Sequence, residues 1–60
     1  MRIRYIKSNY VLNTKGFILN NYYLAILNEQ GKFDIYSYKG CFLCSTSGNV
    51  LTNCFKILST

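Results

Sequence analysis

The sequence contains no histidine and no proline, and it has only two carboxylate side chains, Glu29 and Asp34. Histidine is the commonest general base and the usual activator of a cysteine nucleophile, so its absence leaves little material for catalysis. An acid/base pair would need both carboxylates brought together with shifted pKa values, whereas solvated acids are the ordinary case. We therefore expect no catalytic residues, no cofactor and no enzyme activity.

Long hydrophobic runs are also missing. The longest apolar run, YYLAIL at 22–27, has six residues, whereas a membrane-spanning helix needs about 20. The basic start MRIRYIK is not followed by the apolar segment of a signal peptide. We expect no membrane association and a cytoplasmic location, which is the host cytoplasm if a phage encodes the chain. Thiols stay reduced in that compartment.

Cysteine is scarce, and its spacing does not complete a metal site. CFLC at 41–44 contains Cys41 and Cys44, and Cys54 follows further along the chain. Three thiolates fall short of the four ligands that structural zinc requires, and a redox Cys-x-x-Cys motif would need a strand–helix context. We expect three buried thiols that act as small apolar residues, with a disulfide and a metal site as less favoured alternatives.

Repeated turn chemistry is what the sequence does contain. NTKG at 13–16 and NEQG at 28–31 share the Asn-x-x-Gly pattern of a type I turn followed by a left-handed glycine, which suits short hairpin loops. Further turn signals are Lys39-Gly40, Gly48-Asn49 and Asn20-Asn21. Runs of Tyr, Ile, Val, Phe and Leu between these turns predict short strands. The predicted strands lie near 2–7, 10–13, 17–19, 22–28, 33–38, 41–47 and 50–58.

This pattern predicts one all-β domain over 1–60, a small antiparallel meander or partly closed barrel of roughly five to seven short strands. The alternative is an α+β fold with a helix at about 20–30, capped by Asn20 or Asn21 and ended by Gly31. Adjacent tyrosines and isoleucine–leucine pairs favour a strand at YYLAIL. Both faces of that strand would be apolar, so we expect it to lie inside a barrel or between two copies of a homo-oligomer.

A two-residue turn at Gly48-Asn49 would fix the register of the strands on either side of it. Phe42 would then face Phe55 as a cross-strand aromatic pair. Cys44 and Cys54 would lie on opposite faces of this hairpin, and we expect no disulfide between them.

Positive charge and aromatic side chains indicate a binding protein. Seven Lys and Arg residues against two acids give a formal net charge of +5, alongside six tyrosines and four phenylalanines. We expect a non-enzymatic module that acts by protein–protein contact. The alternative is a single-stranded nucleic-acid-binding barrel that uses Tyr/Phe stacking and Lys/Arg phosphate contacts. The candidate contact residues are Arg2, Arg4, Tyr5, Lys7, Tyr10, Lys15, Phe17, Tyr22 and Tyr23.

The run Lys15, Gly16, Phe17 and Ile18 is similar to part of the basic-Gly-Phe run that stacks bases in cold-shock domains, which are small nucleic-acid-binding β-barrels. The resemblance implies a strand that carries Phe17 as a stacking platform. The second aromatic motif with its histidine and the alternating Gly-Phe-Gly-Phe run of that family are absent from this sequence.

Richness in Asn, Ile, Lys and Tyr suggests an AT-rich coding genome, as in many phages and mobile elements. An inhibitor or accessory protein of such an element is the context that we expect for the chain.

Overall fold

The computed structural model describes residues 1–59, which form one five-stranded antiparallel sheet with two short helices. The sheet has the strand order β4-β3-β2-β1-β5 and is not closed, so the prediction of a small antiparallel meander is confirmed and no barrel forms. The elements are β1 (Arg2–Tyr5), α1 (Tyr10–Thr14), β2 (Tyr22–Leu27), β3 (Phe33–Ser37), β4 (Phe42–Thr46), α2 (Gly48–Cys54) and β5 (Phe55–Ser59).

The connections place both helices on one face of the sheet. Strands β1 to β4 are neighbours in chain order, but β5 returns to the opposite edge and pairs with β1. Helix α2 lies in that long connection, and Leu51 and Cys54 from α2 are buried in the same core cluster as the strand residues. Helix α1 connects β1 to β2 and contributes Leu12 to this cluster.

The core therefore lies on one side of the sheet only. Its centre is an aromatic cluster in which the ring of Phe17 is 4.8 Å from that of Tyr23, 5.6 Å from Phe55 and 5.8 Å from Tyr5. Such edge-to-face and tilted contacts add about 0.5–1.5 kcal/mol per pair beyond burial of the rings. The other buried residues are Ile3, Leu12, Ala25, Ile35, Cys44, Leu51 and Cys54.

The NEQG pattern forms the predicted hairpin turn between β2 and β3. Gly31 has a φ of +76°, a conformation that an L side chain would strain. The Asn28 side-chain oxygen accepts bonds from the backbone nitrogens of Gln30, at 2.9 Å, and Lys32, at 3.0 Å. The turn between β3 and β4 has the same form, with Gly40 at φ +91° and its nitrogen bonded to the Ser37 oxygen. The sequence predicted both of these turns.

The NTKG pattern ends a helix instead of joining two strands, so the predicted strands at 10–13 and 17–19 are wrong. Asn9 caps α1 by accepting a bond from the Leu12 nitrogen at 3.1 Å. Gly16, at φ +97°, donates to the Asn13 oxygen, and Phe17 donates to the Leu12 oxygen. These are the paired bonds of a Schellman helix end. The same turn chemistry fits a hairpin and a helix terminus, because both need a left-handed glycine.

The predicted hairpin at Gly48-Asn49 is also wrong. Ser47 caps α2, with the Val50 nitrogen bonded to the Ser47 hydroxyl at 3.3 Å. The strand predicted at 50–58 is therefore helix as far as Cys54 and strand only afterwards. The expected Phe42–Phe55 pair does not form, because β4 and β5 are opposite edges of the sheet.

The strand prediction at 22–28 is confirmed as Tyr22–Leu27, and the alternative helix at 20–30 is wrong. Asn20 makes the predicted left-handed turn residue, with a φ of 73°. Tyr23 and Ala25 are buried against the helices, whereas Tyr22 and Ile26 point to the other side and are exposed. The two apolar faces of β2 therefore have different surroundings in the single chain.

Candidate functional site

The side of the sheet that faces away from both helices is the largest candidate surface, and we call it the open face. Opposed residues in a sheet share a face, so the strand register defines its members. Three rows of side chains cross the strands. The first row is Lys56, Arg4 and Tyr22, with Tyr38 stacked on Tyr22 just beyond β3; the second is Arg2, Leu24, Tyr36 and Phe42; the third is Ile26, Asp34 and Ser45.

The first row joins two cations to two aromatic rings. Lys56 is opposed to Arg4, and Arg4 is opposed to Tyr22. The Arg4 guanidinium carbon is 5.5 Å from the centre of the Tyr22 ring, within cation–π distance. Tyr38 leaves β3 at its end and stacks on Tyr22, with ring centres 6.2 Å apart and planes inclined by 26°. These rings remain about half exposed, at 45% for Tyr22 and 55% for Tyr38.

The second row also has a cation at its β1 end and aromatic rings at its other end. Arg2 is opposed to Leu24, Leu24 to Tyr36, and Tyr36 to Phe42. Tyr36 and Phe42 meet edge to face with ring centres 5.6 Å apart, and Phe42 is 57% exposed. A bulge in β4 shifts the register just after this pair, because Tyr36 faces Phe42 while Ile35 faces Cys44. Leu43 is the extra residue, and Phe42 stays on the open face.

The third row carries the one acid that the described residues place on this face. The Asp34 carboxylate accepts bonds from the Ser45 hydroxyl at 2.5 Å and from the Asn28 amide at 3.0 Å. These two bonds lower the pKa of Asp34, with the Ser45 bond as the larger cause. The carboxylate therefore stays ionised and is held at the end of the face nearest the 28–31 turn.

The sequence-predicted contact residues separate into three groups of three. Arg2, Arg4 and Tyr22 come together on the open face. A second group cannot contact a partner, because these side chains form the aromatic core. That group is Tyr5, Phe17 and Tyr23. The third group is exposed in and around α1, away from the first group. It is Lys7, Tyr10 and Lys15.

Burial of Phe17 also contradicts the exposed stacking ring that the resemblance to cold-shock domains implies. That resemblance implied a strand with an exposed stacking ring, but Lys15 and Gly16 follow helix α1 and Phe17 packs inside the core. Positive φ at Gly16 and the helix-end bonds explain the Lys-Gly-Phe run without a nucleic-acid role.

Sequence reasoning missed the residues that complete the first two rows. Alternation along β3 is a local signal that Tyr36 and Tyr38 share a face, together with Asp34. The bonds from Ser45 and Asn28 give this carboxylate local partners. Leu24 shares a face with Tyr22 by the same alternation along β2, whereas Phe42 and Lys56 reach this face only through pairing across the sheet. The missed residues are Leu24, Tyr36, Tyr38, Phe42 and Lys56.

The three cysteines are all free, but they differ in exposure. Cys44 and Cys54 are buried as predicted, whereas Cys41 is exposed in the turn before β4, so the expectation of three buried thiols is wrong for this residue. Burial raises the pKa of the Cys44 thiol. Over residues 1–59, no group of three or more His, Cys, Asp or Glu side chains is arranged to hold a metal ion.

A search of family models, curated proteins and solved structures finds no match to this chain. Within the described residues, no helix is long and apolar enough to cross a membrane. The open face is therefore the feature of the molecule that bears on its function.

Proposed function

We propose that this protein is a non-enzymatic binding module that holds single-stranded nucleic acid on its open face. In this proposal, Tyr22, Tyr38, Tyr36 and Phe42 stack on bases, and Arg2, Arg4 and Lys56 contact phosphates. The observation that supports it most is the order within the rows, where Arg4 is next to the ring of Tyr22 and Arg2 is separated from the ring of Tyr36 by Leu24 alone. Proteins that bind single strands combine these two features, since every base offers a flat π face and every linkage a negative charge.

Local charge also favours an anionic ligand at this place. The open face has three cations and one carboxylate among the described residues, and that carboxylate already accepts two side-chain bonds. A duplex fits less well, because its bases are stacked on each other and cannot lie flat on protein rings. The region around α1 has exposed apolar side chains, such as Tyr10 and Ile18, but they are not in rows with cations.

The direct test is fluorescence anisotropy with a labelled oligothymidylate of about 20 nucleotides. Three phosphate contacts predict that the affinity falls about 20-fold when monovalent salt rises from roughly 50 to 200 mM, through release of counterions. Lys56→Ala should weaken binding and flatten this salt dependence. Lys15→Ala is the matched control, because it removes the same charge from the end of α1 and should leave binding unchanged. Binding that both variants weaken equally would indicate attraction by net charge alone.

Protein contact is the second candidate function, and the exposure of the Ile26 side chain is the observation that favours it. This side chain is 57% exposed and lies beside Leu24 at the acidic end of the open face. A nucleic acid would make the fewest favourable contacts at that end, because Asp34 repels phosphate. An apolar protein partner, including a second copy in a homo-oligomer, would cover Ile26 and Leu24. An inhibitor or accessory protein of a phage or mobile element would act through such a partner.

Light scattering at micromolar concentration separates self-association from nucleic-acid binding. Self-association through the open face predicts a dimer that Ile26→Lys converts to a monomer and that salt hardly affects. Nucleic-acid binding predicts that Ile26→Lys retains oligothymidylate affinity, because Ile26 lies in neither of the two cation–aromatic rows.

A further inference from the structure

The open face has two aromatic pairs in successive rows, and their spacing determines how a strand can bind there. Two residues along a β-strand advance about 6.6–6.8 Å, so the row of Tyr38 and the row of Tyr36 are about that distance apart along β3, and the pair centres are no closer. Neighbouring bases in a stacked strand are only about 3.4 Å apart. Two adjacent bases therefore cannot stay stacked on each other and also lie on both aromatic pairs.

The positions of the cations determine where the sugar–phosphate backbone of the nucleic acid lies. Arg4 and Arg2 occupy the same two rows as the aromatic pairs, but on β1, and Lys56 on β5 is opposed to Arg4. Neighbouring strands are about 4.8 Å apart, so a phosphate along β1 is about 5 Å from the strand of Tyr22 and about 10 Å from the strand of Tyr36. The backbone would then follow the direction of β1, with bases directed across the sheet.

The third row limits the length of the site. The next position along the face has Ile26, the ionised Asp34 and Ser45, with no cation and no aromatic ring. A phosphate placed there would approach a carboxylate whose pKa is already lowered by its hydrogen bonds. The favourable contacts therefore end after two rows.

We infer that the open face is a two-base site that holds a splayed single strand, with the backbone along β1, one base on the Tyr22–Tyr38 pair and the next base on the Tyr36–Phe42 pair. This inference rests on the proposed function, since it specifies how the nucleic acid binds at the same surface. The site takes DNA or RNA without discrimination at the sugar, because its contacts are to bases and phosphates.

Oligothymidylates of increasing length test the size of the site. Affinity should rise steeply up to about three or four nucleotides and then increase only in proportion to the number of overlapping binding positions. A steep gain that continues beyond about eight nucleotides would overturn the two-base site. If a strand of about 20 nucleotides fails to bind at low salt, the proposed function itself is wrong, so the two failures are distinguishable.

Abasic substitutions test which ring holds which base. In a four-nucleotide strand, removal of one base should weaken binding about 5- to 100-fold at two adjacent positions, the range expected for a lost stacked base. Tyr38→Ala should abolish this loss at one position, and Phe42→Ala should abolish it at the neighbouring position. The inference is wrong if both variants couple to the same position or to none, even when the long strand still binds.

Two control variants separate stacking from folding. Tyr38→Phe keeps the ring and should retain the affinity of the parent protein. Tyr10→Ala removes an 82% exposed ring from α1 and should leave the affinity unchanged. Loss of binding in Tyr38→Phe would overturn the assignment of this ring as a stacking platform.

Discussion

Tyr22 and Tyr23 are adjacent in β2, yet they experience opposite surroundings. Tyr23 is 5% exposed, packs on Phe17 at 4.8 Å and accepts a bond from the Ile18 nitrogen at 2.9 Å through its hydroxyl. Tyr22 is 45% exposed and meets Arg4 and Tyr38 on the open face. The covered face uses aromatic rings for stability, whereas the open face leaves similar rings available to a ligand.

The polar groups show the same contrast. On the covered face, the Tyr5 hydroxyl accepts from the Asn9 nitrogen at 2.6 Å and donates to the Asn13 side-chain oxygen at 2.8 Å, which ties α1 to the sheet. Among the described residues, no buried side-chain nitrogen or oxygen lacks a hydrogen-bond partner. On the open face, charged and polar ends remain in water. Stability and binding can therefore be changed separately in this chain.

The largest expected difference between the faces comes from two isoleucines in adjacent strands. Ile35→Ala removes a fully buried side chain and should lower the free energy of unfolding by about 2–5 kcal/mol. Ile26→Ala makes the same chemical change on the open face and should cost less than about 1 kcal/mol. Urea unfolding followed by circular dichroism measures both. If Ile35→Ala does not fold, Ile35→Val should still cost about 0.5–1.5 kcal/mol. Equal effects at the two sites would contradict a one-sided core.

A smaller difference is expected between two tyrosine hydroxyls. Tyr5→Phe removes the bonds to Asn9 and Asn13 and should cost about 1–3 kcal/mol, because it leaves partly buried groups without a partner. Tyr22→Phe is the open-face counterpart and should change stability by less than about 0.5 kcal/mol. Thermal unfolding of both variants against the parent protein gives the comparison. A Tyr5→Phe variant as stable as Tyr22→Phe would show that the hydroxyl does not anchor α1.

Loss of the α2 cap tests whether a helix covers the sheet at 48–54. Ser47→Ala removes the side-chain acceptor for the Val50 nitrogen and should destabilise the protein by about 1 kcal/mol. Ser59→Ala in β5 is the control for loss of an exposed serine, and its effect should be within about 0.5 kcal/mol. Denaturant midpoints are sufficient for this measurement. A neutral Ser47→Ala variant would favour the two-residue hairpin that the sequence indicates at this place.

The smallest expected effect is the pH dependence contributed by Asp34 at the end of the open face. Its pKa in the folded state is below the ordinary value of 3.8, so its ionised form stabilises the fold above that value. The contribution is lost as the pH falls through the folded pKa. The stability difference between the parent and Asp34→Asn should therefore shrink on acidification below 3.8. Glu29→Gln, a loss of charge in the adjacent turn, is the control. A difference that grows on acidification would contradict the hydrogen bonds from Ser45 and Asn28.

Local sequence was sufficient for the two turns on either side of β3 and for strands β2, β3 and β4. Asn28 to Gly31 forms the predicted hairpin turn, since an Asn side chain and a left-handed glycine satisfy this backbone wherever it occurs. The runs at 22–27, 33–37 and 42–46 are strands as predicted, because β-branched and aromatic residues recur between those turns. The sequence also located three members of the open face, Arg2, Arg4 and Tyr22, from their charge and proximity along the chain.

Other features depended on contacts between distant residues. Asn13 to Gly16 and Ser47 to Val50 carry turn chemistry that serves a helix end or a helix start as well as a hairpin, and packing of Leu12 and Leu51 into the core selects the helices. The return of β5 to the far edge places Lys56 beside Arg4. By itself the sequence determined the turns at 28–31 and 39–40 and the extended segments on either side of them, because those preferences are local. Only the tertiary structure decided which face of each strand is covered, because two short helices can bury one side of a five-stranded sheet and leave the other exposed.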